Sequence, residues 1–232
     1  MKIGIYGGGF KPFTMGHFSM LALAEQENDR VILLYGMAGR SKGSDFIYSP
    51  EMAREIFEIN KTAIERKFSK INVIDAVPSP IHHAIGAILS IRDNKVEPDS
   101  LFDRLGINPN DVDQLTVYVG PDDFKTYTKY FNTPRVKFDQ GPGEEAGVAR
   151  MERVVAKVAD NIENLTGRIA IRGSLLRAMV GKTNLEELMK YFPPIYTKEE
   201  ALKIFEIMQR GLTNSVNESL KTLIKRMILE NK

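Results

Sequence analysis

The chain has 232 residues, of which 43% are hydrophobic and 27% are charged, so it is long enough to bury a full core and is expected to be globular. Its 32 basic and 30 acidic residues leave a formal net charge of +2, which predicts no general attraction to nucleic acid or to an anionic membrane. The sequence contains no cysteine, which excludes disulfides, thiolate metal sites and cysteine nucleophiles and favours a reducing compartment such as the cytoplasm.

The N-terminal residues lead directly from a short apolar segment into a glycine cluster at residues 7–9. They lack the basic segment and the long apolar stretch of a signal peptide. No apolar run approaches the roughly 20 residues that a membrane-spanning helix requires. The sequence therefore predicts an unprocessed, soluble and cytoplasmic chain.

Short apolar runs alternate with longer segments of helical period along most of the chain. The expected strands are residues 2–6, 31–35, 71–77, 115–119 and 169–171, and the clearest helices are residues 17–27 and 51–68. Strands joined by helices indicate a parallel sheet, because each connection must cross back over the sheet. The pattern predicts an α/β fold with a parallel sheet and helices on both faces, in which ligands bind beyond the carboxyl ends of the strands.

Two segments interrupt this alternation, and a helical region follows it. Residues 94–113 predict an inserted loop with one helical turn near residues 101–105, and residues 140–147 predict a second, exposed loop. Beyond residue 181 the pattern is helical, so we divide the chain into a domain of residues 1–183 and a C-terminal helical extension of residues 184–232. An apolar stripe on the last helix predicts packing against the domain or against a second copy in a homo-oligomer.

The strongest local signal is the run GGGFKPFTMGH at residues 7–17, placed between the first strand and the first helix. Glycines let backbone amides approach a polyphosphate closely, and the start of the helix offers unpaired N–H groups. Lys11, Thr14 and His17 add further donors, and a donor near a transferred phosphate can stabilise growing charge. The same residues are compatible with a tight turn, a capping threonine and a packed histidine.

Two common phosphate-binding patterns do not fit the chain. The glycines of the loop do not follow G-x-G-x-x-G, so the dinucleotide-binding fingerprint is absent from it. Residues 181–183, Gly-Lys-Thr, resemble the end of a P-loop, but the upstream glycine position is occupied by Leu176 and the segment follows a predicted helix.

The run at residues 7–17 resembles the GxFxPxTxGH signature of the HxGH nucleotidyltransferase superfamily, and most closely its nicotinamide-nucleotide adenylyltransferases. Thr14 stands where the first histidine of HxGH is usual, and a threonine cannot take up a proton. The resemblance implies a Rossmann-like fold and the transfer of a nucleoside monophosphate from a triphosphate, with release of pyrophosphate.

A second run, IAIRGSLLR at residues 169–177, resembles the IS(S/G)(S/T)xxR signature of the same family. Gly173 and Ser174 would open a helix toward the β- and γ-phosphates. Arg177, one turn into that helix, would offer a fork of donors to the leaving pyrophosphate. Arg172 occupies a position where the family usually has serine.

Three further elements are similar to family features. Gly120 and Asp122 belong to a GPD run that resembles the GxD element of nicotinamide-nucleotide and nicotinate-nucleotide adenylyltransferases. Asp122 could accept hydrogen bonds from ribose or lie near magnesium, or it could cap a helix predicted at residues 123–131. Lys42 and Arg54 resemble the residues that hold the phosphate of the acceptor substrate.

The resemblance implies direct attack of an acceptor phosphate on the α-phosphorus, without a covalent enzyme intermediate. Mg²⁺ would accompany the triphosphate, and no protein side chain is assigned as a metal ligand. The implied residues are His17, Lys11 and Arg177 for catalysis and, for nucleotide binding, Gly8, Gly9, Phe10, Thr14, Gly120, Asp122, Gly173 and Ser174.

The expected substrates are ATP and nicotinamide mononucleotide, because the GxD element accompanies the other motifs. Pantetheine phosphate, or CTP with a sugar or polyol phosphate, remains an alternative within the same enzyme class. A non-catalytic nucleotide-binding protein is a third reading, favoured by the residues at positions 14 and 172.

Overall fold

The computed structural model describes residues 1–38, 48–119, 154–158 and 173–230. The chain divides into two compact units. The sheet unit comprises Met1–Gly9, Ser19–Gly36 and Phe68–Thr166, and the loop unit comprises Phe10–Phe18, Met37–Lys67 and Gly167–Lys232. The division between a domain and an extension at residue 183 stays a prediction.

Among the described residues, the sheet unit contains five strands, and every pairing between them is parallel. The strands are β1 (Lys2–Gly8), β2 (Arg30–Gly36), β3 (Ile71–Ala76), β4 (Gln114–Val119) and β5 (Val154–Val158). The first four were predicted, whereas β5 was not. The strand predicted at residues 169–171 lies outside the described residues. The expected parallel α/β sheet is confirmed.

The strand order is β3-β2-β1-β4-β5. From β1 the chain adds β2 and then β3 toward one edge of the sheet, and β4 then pairs with the other side of β1. The order therefore reverses between β1 and β4. In open parallel sheets, a crevice for ligands opens beyond the carboxyl ends of the strands at such a switch point. The glycine-rich run follows β1, one of the two strands at this point.

The helices are α1 (Met15–Glu27), α2 (Pro50–Lys67), α3 (Pro80–Asp93), α4 (Leu101–Arg104), α5 (Gly173–Met179), α6 (Leu185–Met189) and α7 (Lys198–Glu230). The single turn expected within residues 94–113 is confirmed as α4, and a short 3₁₀ turn, Pro109–Asp111, follows it. The helical pattern expected beyond residue 181 is confirmed by α6 and α7. None of the helices among the described residues has both the length and the apolar character of a membrane span.

One face of the sheet is covered by α3, α4 and the 3₁₀ turn. Alternate residues of β1, β2 and β4 contribute to this apolar core, because side chains of a strand point to opposite faces in turn. Helix α3 has a clear N-terminal cap. The side chain of Ser79 accepts a hydrogen bond from the His82 amide, and Pro80 lies in the first turn. It ends at Asn94, whose φ of 52° is the left-handed conformation common at helix ends.

The opposite face of the sheet carries a small polar cluster next to the end of α1. Asn28 is 4% exposed, and its Nδ2 donates to the Tyr118 hydroxyl at 2.8 Å and to the Ala24 carbonyl at 2.8 Å. The Tyr118 hydroxyl in turn donates to a Glu27 carboxylate oxygen at 2.6 Å. Burial, together with the hydrogen bond to Glu27, raises the pKa of Tyr118. The end of α1 thus covers the second face, as expected for helices on both sides.

Candidate phosphate-binding site

The first two glycines of the run, Gly7 and Gly8, are the last two residues of β1. Gly9 is exposed and follows the strand directly. Among the described residues, nothing lies within 4 Å of the position that a Cβ on Gly9 would occupy. The fold therefore leaves space beside this backbone, which a glycine keeps open for the close approach of a ligand.

Phe10 adopts a left-handed backbone conformation with a φ of 43°. A residue with a Cβ pays on the order of 1–2 kcal/mol for this conformation, so its surroundings must hold it there. The Phe10 side chain is 3% exposed, and its ring lies 5.7 Å from that of Phe13 and 5.0 Å from the imidazole of His17. The carbonyl oxygen of Phe10 accepts a hydrogen bond from Nδ2 of Asn60 at 3.2 Å.

His17 lies in the first turn of α1, against the rings of Phe10 and Phe13. Its Nδ1 accepts the backbone N–H of Thr14 at 2.9 Å. An amide nitrogen can only donate, so Nδ1 carries no proton and the neutral ring carries its proton on Nε2. Desolvation by burial lowers the pKa of His17 to about 4. At neutral pH the side chain is therefore a neutral hydrogen-bond donor through Nε2.

Thr14 is the residue that precedes α1, and it acts as the helix cap. Its carbonyl accepts the Phe18 N–H at 3.0 Å, which is the first bond of the helix. Its hydroxyl lies 3.1 Å from Nδ1 of His17, and its side chain is 2% exposed. The capping threonine and packed histidine anticipated from the sequence are both present, and they set the orientation of the His17 ring.

Arg177 reaches the same loop from α5. Its Nη1 donates to the carbonyl oxygen of Lys11 at 2.7 Å, although the two residues are 166 positions apart in the chain. The Lys11 side chain is 9% exposed, and its Nζ donates to the carbonyl of Ala38 at 2.9 Å. The structure thus joins the first and second sequence motifs in one place.

Of the other predicted site residues, some lie on α5 and some lie outside the described residues. Gly173 and Ser174 occupy the first turn of α5, as predicted. Gly120, Asp122 and Lys42 lie outside the described residues, and their roles stay predictions.

Arg54 lies on an exposed face of α2, where its Nη1 is 3.7 Å from a carboxylate oxygen of Glu58. It also lines a groove between α2 and α7, together with Lys203 and Arg210. The same groove is also lined by Glu51, Glu55, Glu58 and Glu206. Its binding of the acceptor phosphate stays a prediction.

Asn60 and Tyr196 are site residues that the sequence analysis missed. Asn60 is fully buried, at 0% exposure, at a position of α2 where an apolar residue is expected. A polar residue on the buried stripe of a helix is unusual and needs partners, so this position was the available signal. Its apolar neighbour Ile59 is only partly buried.

The donors of the loop are suited to phosphate oxygens. Imidazole N–H, ammonium, guanidinium and backbone amides bind anions, whereas Mg²⁺ prefers carboxylate, carbonyl and water oxygens. Among the described residues, no group of three or more His, Asp or Glu side chains is placed to hold a metal ion. Mg²⁺ that accompanies a nucleotide takes most of its ligands from phosphates and water, so the prediction that it enters with the nucleotide rests on the sequence resemblance.

No protein-family model and no curated protein sequence matches the chain. Solved structures match it at low similarity. One is a proposed nicotinate-nucleotide adenylyltransferase from Vibrio parahaemolyticus, with 17% identity, a TM-score of 0.45, and coverage of 90% of this chain and 99% of that one.

Another is the nicotinic acid mononucleotide adenylyltransferase of Plasmodium falciparum, with 15% identity, a TM-score of 0.44, and coverage of 92% and 97%. A third is a bifunctional NMN adenylyltransferase/ADP ribose pyrophosphatase from Francisella tularensis, with 12% identity and a TM-score of 0.48. That match covers 97% of this chain and 56% of the other. These identities and TM-scores are too low to assign an activity to the chain.

Proposed function

We propose that the chain is a nucleotidyltransferase that moves AMP from ATP to nicotinamide mononucleotide, forming NAD and releasing pyrophosphate. The observation that carries the proposal is the 2.7 Å hydrogen bond from Arg177 to the Lys11 carbonyl. It brings together two motifs that resemble the signatures of one enzyme family. Neither motif alone would distinguish a phosphate site from a capped helix.

The chemistry of the loop supports a transfer without a covalent enzyme intermediate. An oxygen of the acceptor phosphate attacks the α-phosphorus as the bond to the β-phosphate oxygen breaks, and pyrophosphate leaves with the electron pair of that bond. The protein must then position two anions and stabilise growing charge, which requires donors and no nucleophile. The Nε2–H of His17, the guanidinium of Arg177 and the ammonium of Lys11 are donors of this kind.

The neutral state of His17 suits this role. A pKa of about 4 keeps the ring uncharged over the physiological range, and the Thr14 amide at Nδ1 directs the proton to Nε2. The ring can therefore donate to a phosphate oxygen at any pH well above 4, and it need not gain a proton first. A neutral donor stabilises charge in the transition state by hydrogen bonding.

Pyrophosphate release tests the proposal directly. The full chain is incubated with MgCl₂, with ATP or CTP, and with one acceptor from a panel of nicotinamide mononucleotide, nicotinate mononucleotide, pantetheine phosphate and glycerol phosphate. We expect turnover with ATP and nicotinamide mononucleotide. Turnover is expected to be lost in Arg177→Ala and retained in Arg104→Ala, an exposed arginine that pairs with Asp75 in the sheet unit.

The alternative outcomes separate the competing readings. Turnover with pantetheine phosphate, or with CTP and glycerol phosphate, would keep the enzyme class and reject the acceptor. ATP binding without pyrophosphate release from any acceptor would instead identify a nucleotide-binding protein without transferase activity. Thr14, which caps a helix where the family usually has a histidine, makes this outcome the one to check first.

A further inference from the structure

We propose that Asn60, held in place by Tyr196, is a positioning residue that fixes the phosphate-binding loop in its binding conformation. This inference rests on the proposed function and assigns a part in it to the C-terminal region. Neither residue belongs to the sequence motifs, and neither is expected to touch substrate.

Asn60 bridges the loop and the C-terminal region through its side-chain amide. Its Nδ2 donates to the Phe10 carbonyl at 3.2 Å, and its Oδ1 accepts the Tyr196 hydroxyl at 2.5 Å. A carbonyl oxygen can only accept, so the amide nitrogen must face Phe10 and the amide oxygen must face Tyr196. The orientation of the amide is thereby determined by its partners, and reversing it would leave buried polar atoms mismatched.

The hydrogen bond from Asn60 to Phe10 sets the direction of a neighbouring backbone donor. It holds the carbonyl of Phe10, the residue whose φ of 43° is unfavourable for a side chain with a Cβ. In a planar trans peptide, the N–H of the next residue points opposite to the carbonyl. Fixing the Phe10 carbonyl therefore fixes the direction of the Lys11 N–H, a backbone donor of the glycine-rich run.

The loop is held at two successive carbonyls by two different elements. Asn60 on α2 binds the carbonyl of Phe10, and Arg177 on α5 binds that of Lys11. A loop fixed at both peptides meets a polyphosphate without reorganising first, which is where positioning contributes to rate. Loss of either contact is expected to let this segment relax from its left-handed conformation.

Tyr196 connects the C-terminal region to Asn60. It lies between α6 and α7, and its ring packs edge-on against Phe192 with centroids 5.8 Å apart. Phe192 is 2% exposed, so the ring that carries the hydroxyl is anchored in a packed position. The extension at residues 184–232 thus reaches the loop through one hydroxyl and one buried amide.

The test compares three variants of the full chain by steady-state turnover. Tyr196→Phe removes the hydroxyl alone, and Asn60→Asp replaces the donor to the Phe10 carbonyl by an oxygen. Arg66→Gln is the matched control, because Arg66 ties α2 to the same segment by donating to the Ile195 carbonyl at 2.7 Å and pairing with Glu200 at 2.8 Å, without contacting the loop. Thermal unfolding of each variant measures its stability separately.

We expect Tyr196→Phe to lower kcat by about tenfold or more with the acceptor KM nearly unchanged, because a misplacement of about 1 Å can cost about 10²-fold. Arg66→Gln is expected to keep wild-type kcat. In Asn60→Asp only the protonated carboxyl can donate to the Phe10 carbonyl, and burial raises the pKa of such a carboxyl. The ratio of its kcat to that of the wild type should therefore rise as the pH falls from 8 to 5.5.

The inference is overturned if Tyr196→Phe keeps kcat within about threefold of the wild type, or if Arg66→Gln loses as much kcat as Tyr196→Phe. Should Asn60→Asp not fold, Tyr196→Phe decides. A wild-type chain without turnover on any acceptor would reject the proposed function alone. ATP affinity by calorimetry would then decide the positioning role: weaker binding in Tyr196→Phe but not in Arg66→Gln supports it, and equal or absent binding in all of them overturns it.

Discussion

Replacing His17 by asparagine isolates the one donor that the proposed mechanism assigns to the imidazole. In the structure, Nδ1 of His17 accepts the Thr14 N–H at 2.9 Å, and Nε2 carries the proton. The Oδ1 of an asparagine lies near the position of an imidazole Nδ1 and can accept the same N–H. His17→Asn should therefore keep the helix start and lose the distal donor.

The expected loss follows from what a single preorganised donor contributes to a developing oxyanion. Removal of one such donor costs about 10²- to 10³-fold in kcat, or about 2.7–4 kcal/mol. The contact with Thr14 is kept, so the chain should stay folded, although it loses packing of the ring against Phe10 and Phe13. His17→Gln is the complementary variant, because its Nε2 lies near the position of the imidazole Nε2 and restores part of the lost turnover.

The assay is continuous pyrophosphate release with ATP and nicotinamide mononucleotide, with urea unfolding measured for each variant. The wild-type kcat should not show the titration of an ordinary histidine between pH 8 and pH 6, since the pKa of His17 is about 4. A kcat of His17→Asn within about threefold of the wild type, in a folded chain, would refute the role of the imidazole as donor. A loss of activity that is matched by a loss of stability would place His17 in packing alone.

Four further predictions concern two glycines, Arg177 and the titration of His17. Gly4→Ala is expected to destabilise the fold by about 1–3 kcal/mol, because its Cβ would lie 2.8 Å from Nδ2 of Asn28. For Gly9→Ala, no described atom lies within 4 Å of the added Cβ. This variant should have the same urea midpoint as the wild type but bind ATP more weakly. Equal urea midpoints for Gly4→Ala and Gly9→Ala would contradict the packing argument. Arg177→Lys keeps the charge but not the planar fork, so its kcat should fall by about tenfold or more, and full turnover would reject a specific need for arginine. Between pH 6.5 and pH 4, His17 is protonated in the unfolded chain but stays neutral in the folded one. On going from pH 7 to pH 4, the wild type should therefore lose up to about 3 kcal/mol more stability than His17→Gln. Equal losses in the two proteins, measured by denaturant unfolding, would show that the ring is not desolvated.

The elements that were predicted correctly share a strong local signal. The strands β1 to β4 are continuous apolar runs, and α2 follows a helical period with Pro50 in its first turn and Ser49 accepting the Met52 amide. Strand β5 was missed, because VVAKV is a short run interrupted by Lys157. Its place at the edge of the sheet, paired with β4, depends on the partner strand more than on its own pattern.

Residues of the candidate site, like the strands and helices, could be predicted only where their signal is local. His17, Thr14 and Lys11 could be singled out because they stand next to glycines at a strand-to-helix junction. Asn60 and Tyr196 could not, because they are 136 positions apart and meet only in the folded chain. Arg177 donates to the Lys11 carbonyl, a contact that no local pattern indicates, and its contact with a phosphate stays a prediction.

The sequence alone was enough to predict the parallel α/β sheet and the position of the glycine-rich loop between the first strand and the first helix. These depend on apolar periodicity, on glycine and on helix caps, which act over a few neighbouring residues. Contacts formed in the folded chain set three further features: the nitrogen of His17 that carries the proton, the hydrogen bond from Asn60 to the left-handed Phe10, and the contact of Arg177 with the loop. Each of these is a hydrogen bond or a desolvation set by groups that packing brings together, and no local pattern encodes them.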